Sequence, residues 1–314
     1  MVACALATAG CGGERRDRGG AGGQRGAADR GGDSPRADDR PVGDGGGEIP
    51  HRRFPDVASA VLAVVPAGTR VLGVGELHQR TDRLGGRAAL EVFRTDLLPA
   101  LAPTVSDLVL ETWVVEKGCT SGQAASQKVE AAMRRPAETG DQLSRQIAAA
   151  RLAGIKVHAM RLTCAELAEV GGGAGDVQIE TMLDLVTREL GRVAASAVAY
   201  RSRPPAPGQP PPRPLVVLYG GAMHNDRFPY DSVARWSYAA ELDRVTGGRY
   251  VELDLYPPEA AAADRFVTGE PWAPLLAEAG PEHVVVYQRG ERSFVVILPT
   301  SSDRAPSPAP QASP

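Results

Sequence analysis

Two short apolar runs constrain this chain more than any other feature, because each runs straight into a glycine-led turn and a histidine. Val71-Leu72-Gly73-Val74 leads into Gly75-Glu76-Leu77-His78, and Leu215-Val216-Val217-Leu218-Tyr219 leads into Gly220-Gly221-Ala222-Met223-His224. Runs this short, apolar and bounded by glycine read as strands buried on both faces. Such strands belong to parallel sheets, whose neighbours are joined by helical crossovers lying on the two faces. Glycine after each strand lets the backbone turn sharply. Ionisable groups just past the C-terminal end of such a strand stand where open α/β sheets place their ligands.

The rest of the middle of the chain fits that frame. Phe54 to Val65 has a helical stripe of Val57, Val61, Leu62 and Val65, stopped by Pro66-Ala67-Gly68. Leu90, Phe93, Leu97, Leu98 and Leu101 recur at helical spacing up to Pro103. Asp107 to Glu111 reads as a second strand, Ile155 to Met160 as a third and Leu215 to Tyr219 as a fourth. Short helices are expected over Ala125–Arg134 and Gln142–Ala153, and Thr163 with Glu166 forms a capping box. The longest helix is expected over Val177–Tyr200, followed by a Pro-rich surface loop from Arg203 to Pro214. A helix near Ser232–Val245 and a strand over Tyr250–Leu255 with one wet face come next. Val284–Tyr287 and Phe294–Ile297 flank Arg289-Gly290-Glu291-Arg292 as a hairpin at a sheet edge. The fold class is therefore α/β: a mostly parallel sheet with helices on both faces and an antiparallel C-terminal hairpin.

The two ends differ from this middle. Residues 12–48 are almost wholly Gly, Arg, Asp, Ala and Pro, with no aromatic residue, and read as a disordered tether; residues 300–314 read as a disordered Ser/Pro/Ala tail. That leaves residues 49–299 as one α/β domain, and residues 1–11 as a truncated lipoprotein signal. Thr8-Ala9-Gly10-Cys11 resembles a lipobox, with Cys11 as the acylated residue, although Thr8 stands where Leu is commoner and no basic segment precedes it. As a flexible coil, the tether would hold a domain about 35 Å from a membrane surface. The expected location is thus the extracytoplasmic face of the cell envelope. In that compartment Cys119 and Cys164 read either as a disulfide or as two buried thiols. A formal net charge of −3 gives no basic face, so no nucleic-acid partner is expected.

Four strands end on chemistry-bearing groups: Glu76 and His78, Glu111, Arg161, and His224. Parallel strands bring those ends to one edge of the sheet. His78, His224, Glu76 and Glu111 are the side-chain types that hold a divalent ion with an open position for water. A spare Glu can serve as general base, and Arg161 can pair with a substrate carboxylate or a developing oxyanion. Without metal, the same Glu and His residues can divide the general-base and general-acid roles of ester hydrolysis. His158 reads as a hydrogen-bonded core residue, and Asp226 as a loop cap.

GELH, the strand-terminal Glu of LVLE, an Arg in the middle region and GAMH, in that order, resemble the Tiki/TraB, erythromycin-esterase and ChaN-like superfamily, closest in style to ChaN-like lipoproteins. The resemblance covers about residues 54–255. Residue by residue it falls on Glu76, His78, Glu111 and His224, with Arg161 or Arg151 as the arginine. It implies an α/β fold with these residues in one cleft. The activity it implies is hydrolysis of an ester or peptide bond in a small-molecule or peptide substrate, metal-dependent in some members; from the residues themselves the divalent ion expected, where one is used, is manganese, cobalt or zinc. The alternative it implies is haem or metal binding without catalysis, although no further His follows the first motif between Gln79 and Gly86.

Overall fold

The computed structural model describes residues 2–3, 49–171, 176–205 and 207–301. Among these, nine strands form one mixed sheet. They are β1 (Val2–Ala3), β2 (Arg52–Phe54), β3 (Val71–Glu76), β4 (Val105–Val115), β5 (Lys156–Leu162), β6 (Leu215–Gly221), β7 (Tyr250–Tyr256), β8 (Val284–Gly290) and β9 (Ser293–Ile297). The central order is β5-β4-β6-β3-β7-β9, parallel throughout. β8 then pairs antiparallel with β9, and β2 antiparallel with β8. β1 adds two residues antiparallel to Trp113 and Thr112 near the end of β4. The expected fold class is what the structure shows.

Helices cover both faces, as the strands require. On one face lie α1 (Val57–Val64), α2 (Ala89–Val92), a π-helical turn (Phe93–Leu97), α3 (Leu98–Leu101) and α5 (Thr139–Leu152), with α4 (Thr120–Met133) preceding α5 in the chain. Leu72 and Val74 of β3, Leu108 and Leu110 of β4, and Val217 of β6 meet that layer. On the other face, α4, α6 (Cys164–Gly171), α7 (Ile179–Arg201) and α9 (Ala239–Thr246) pack on Val71, Val109, Val216 and Leu218. A single turn, α8 (Ala222–Asn225), follows β6, and α10 (Pro258–Ala261) follows β7. Asp56 caps α1 by accepting from Ser59 N, and Thr163 and Glu166 make the reciprocal capping-box bonds ahead of α6.

Three expectations change. The region after Ser232 is a 3-10 turn, Ala234–Trp236, and then α9, because Ser237 and Tyr238 fold back onto the α8 turn: Tyr238 N donates to His224 O and Ser237 Oγ to Asp226 O. β7 has no wet face. Glu252 and Asp254 are buried, since α8 and Arg289 lie over the side that alternation leaves polar. The hairpin is not the sheet edge, because β2 pairs outside β8.

The disulfide alternative is settled in favour of pairing. Cys119 and Cys164 are bonded with their Cα atoms 5.7 Å apart, tying the start of α4 to the start of α6 where β4 and β5 end. The lipobox at Cys11 and the 12–48 tether lie outside the described residues, as does the tail from residue 302. No helix among the described residues is long and apolar enough to cross a membrane.

Candidate active site

The strand pairing that puts β6 beside β3 and β4 brings the two Gly-x-x-His units together. Glu76 pairs with Gly221 across β3 and β6, and Leu110 with Tyr219 across β4 and β6. The glycines of the first unit then have a steric purpose. A Cβ on Gly73 would lie 1.7 Å from Asn225 Oδ1 and 2.2 Å from Tyr250 OH; one on Gly75 would lie 2.1 Å from Asp254 Oδ1 and 2.7 Å from Ala222 Cα. Only bare backbone there lets the α8 turn lie flat on β3 and carry His224 inward. Gly220 plays the same part for Glu111, whose Oε2 would be 2.5 Å from an added Cβ.

Four expected residues meet. His78 Nδ1 donates to Glu76 Oε1 at 2.5 Å, and its Nε2 lies 3.8 Å from Glu111 Oε2. His224 Nε2 lies 3.9 Å from Glu111 Oε1, and Glu111 Oε2 accepts from Gly221 N at 2.5 Å. Glu111 thus stands between two imidazoles that it faces but does not reach. All four side chains are at least nine-tenths buried. His78 Nε2 and Glu111 Oε1 are out of solvent contact and have no hydrogen-bond partner.

The surroundings fix the protons. His224 Nδ1 is 3.0 Å from Trp236 O and 2.8 Å from Thr187 Oγ1. A carbonyl only accepts, and the Thr187 hydroxyl already donates to Leu183 O, so Nδ1 carries the proton and Nε2 a lone pair. Burial lowers the His224 pKa, outweighing the attraction of Glu111. Burial and Arg135 work against charge on His78 as well, but Glu76 and Glu111 prevail and its pKa is raised. Burial would raise Glu76, yet His78, Arg135 and Tyr219 bring it down to about 2. Glu111 is likewise lowered, its burial offset by the two histidines and Gly221 N–H. The site at neutral pH is a neutral imidazole and a protonation-prone imidazole on either side of a carboxylate.

Arg161 is not part of it. It is exposed on β5, paired in register with Val114, and forms no hydrogen bond or ion pair with the four. The alternation of β5 turns it outward and Met160 inward. Arg151, at the C-terminal end of α5, is exposed too. The guanidinium that reaches the site is Arg135, whose Nη2 donates to Glu76 Oε1 at 3.2 Å. Arg134, with a left-handed φ of 51°, ends α4 and turns the chain so that Arg135 points inward. Tyr219 OH also donates to Glu76. Its place as the last residue before Gly220-Gly221 was the available signal; Arg135 gave none beyond standing before the helix-stopping Pro136. His158 is hydrogen-bonded as expected, to Asp107 at 2.7 Å, but is half-buried and not in the core; Asp226 caps its loop by accepting from Phe228 N.

The donor types suit a divalent ion, and both histidines have the far ring nitrogen held by an acceptor, as metal ligands do. They do not close into a ligand set: among the described residues no group of three or more His, Cys, Asp or Glu is placed to hold an ion.

No protein-family model matches the chain, and no curated protein matches it. Among solved structures, the type III effector HopBA1 is similar at 14% identity and a TM-score of 0.42, over 81% of this chain and 98% of that chain.

Proposed function

We propose that this chain is a hydrolase of ester or peptide bonds whose reacting centre is His224, Glu111 and His78. One observation carries the reading: His78 Nε2 and Glu111 Oε1 are buried without partners, and Glu111 faces both His78 Nε2 and His224 Nε2. A buried polar atom left unpaired costs about 1–3 kcal/mol, and here two chemically complementary ones lie together at the strand ends. In this reading His224 Nε2 takes a proton from water, and the hydroxide formed attacks the substrate carbonyl carbon. His78, protonated and held by Glu76, hydrogen-bonds from Nε2 to the oxygen that gains charge, then gives that one proton to the leaving group. The acid product's proton recharges His78, and the proton on His224 is lost to solvent. Glu111 stays ionised between the rings and balances whichever carries the extra proton. Glu76, bound by His78, Arg135 and Tyr219, orients His78 and is not the base.

The test is turnover of p-nitrophenyl acetate and of fluorescein-labelled casein by the tag-free chain and by His224→Ala. The expected result is release from one substrate class by wild type, reduced about 10²- to 10⁴-fold in the variant at unchanged circular dichroism. Equal rates, or none from wild type, would sink the proposal.

A metal-assisted form of the same site is a second reading, supported by the acceptor-held imidazoles. It requires the two rings to draw in on Glu111. Elemental analysis of wild type against His78→Ala decides it: manganese, cobalt or zinc near one per chain, absent from the variant.

Envelope location fits the Cys119–Cys164 bond, as disulfides persist in oxidising compartments. A lipid anchor at Cys11 entails removal of β1, so the sheet must stand without those two residues. A chain beginning at Ile49 is expected to keep the wild-type unfolding midpoint within a few degrees.

A further inference from the structure

Arg135 is the buried group that this mechanism uses least. Its side chain is 8% exposed, yet its contact with Glu76 is a single donor at 3.2 Å, and its Nε has no partner. A guanidinium presents five N–H donors in a rigid fork, and its Nε–Nη edge matches the two oxygens of a carboxylate. Next to it, at the turn from α4 into α5, is a cavity of about 210 Å³ lined by Arg135, Pro136, Thr139, Gly140 and Leu143, with Glu130 at its exposed rim. A second cavity of about 10 Å³, room for about one water, touches Glu76, Arg135, Thr139 and Gln142. Arg135 and Thr139 line both, so they stand between the larger cavity and the small one that touches Glu76.

We propose that the 210 Å³ cavity is a recognition pocket for a carboxylate, held on the Nε–Nη edge of Arg135 with its carbon chain against Pro136 and Leu143. As the substrate-recognition pocket of the hydrolase it rests on the reading above; as a binding site it does not. The volume selects a short acyl chain over a bulky one. Nε is closed off from solvent in this structure, so binding parts Arg135 from Thr139. A second acid competing with Glu76 for the guanidinium would then report pocket occupancy directly to His78, through the carboxylate they share.

The experiment is titration of the full chain with butyrate, butyramide and inorganic phosphate, followed by thermal shift and by calorimetry. Butyrate is expected to saturate and to raise the unfolding midpoint, with butyramide at least about tenfold weaker because it offers one acceptor and no charge. Arg135→Lys keeps the charge beside Glu76 but loses Nε, and is expected to weaken butyrate at least about tenfold. Should that variant not fold, Gly140→Phe, at a cavity-lining position where an added Cβ meets no atom within 4 Å, must abolish butyrate binding. Butyrate binding that survives either folded variant, binding of phosphate in place of butyrate, or no binding by wild type overturns the proposal. Butyrate binding in a chain that hydrolyses neither substrate class would overturn the hydrolase reading and leave the pocket standing.

Discussion

The molecule buries two groups of ionisable side chains on either side of β3, and they are built to opposite rules. On the β7 side, Glu252 accepts from Arg289 at 2.5 Å and from Arg227 N at 2.8 Å, Asp254 accepts from Asn225 at 2.8 Å, and Arg289 also bonds Asp226. On the β4–β6 side, Glu111 faces two imidazoles at 3.8 and 3.9 Å and one of its oxygens has no partner. The carboxylates of Glu252, Asp254 and Glu111 are all buried. In the first, the carboxylates of Glu252, Asp254 and Asp226 are all engaged, holding the 222–227 segment over β3. The second keeps capacity in reserve at the edge where parallel strands end. Burial alone therefore does not mark a site; what sets this group apart is an unpartnered ring nitrogen and an unpartnered carboxylate oxygen together at the strand ends.

The largest expected break strikes both groups at once. Gly73→Ala puts a methyl into Asn225 and Tyr250, and should cost more than about 4 kcal/mol or prevent folding, read by chemical denaturation. Arg289→Ala separates the groups. It leaves Glu252 without its guanidinium and should cost about 3–5 kcal/mol, while the folded fraction keeps its specific activity. Loss of activity per folded molecule would show that the two groups are coupled. Cys164→Ser opens the closure between residues 119 and 164, a separation of 45 that the chain-entropy relation values at about 4 kcal/mol, so a fall of about 2–4 kcal/mol is expected.

The mildest perturbation is pH. His224, with a lowered pKa, must be neutral to act as base, so activity should fall as pH drops through a value below its ordinary 6.5 or so. His78, with a raised pKa, must be protonated to donate, so activity should fall again as pH climbs above that ordinary value. A bell results, and Glu76→Gln should bring its alkaline limb to lower pH by removing the charge that favours imidazolium. An alkaline limb unmoved in Glu76→Gln would show that His78 is not the acid.

How much of this the sequence disclosed follows the same division. The strand-then-Gly-x-x-His units state their structure locally, so β3, β6 and the His78/His224 meeting were legible from apolar runs and glycines. Glu111 was legible because it stands in a run, LVLE, of the same kind. Arg135 was not, because it comes in from a helix end far along the chain, and no periodicity distinguishes it from exposed Arg151 or Arg161. The buried face of β7 was missed for a related reason. Glu and Asp at alternate positions look solvated until one knows that α8 and Arg289 cover them, and that coverage comes from residues 222–227 and 289. Local pattern gives elements and strand ends; it does not give the partner that arrives from another segment.

The most direct test of the central claim is the rate of Glu111→Gln, which keeps the shape and the Gly221 contact but removes the charge between the two imidazoles. On the substrate class that wild type turns over, a loss of about 10²- to 10⁴-fold is predicted, with stability changed by no more than about 1 kcal/mol. A Glu111→Gln enzyme as fast as wild type would contradict it, and would reduce the unpartnered carboxylate to a flaw in packing.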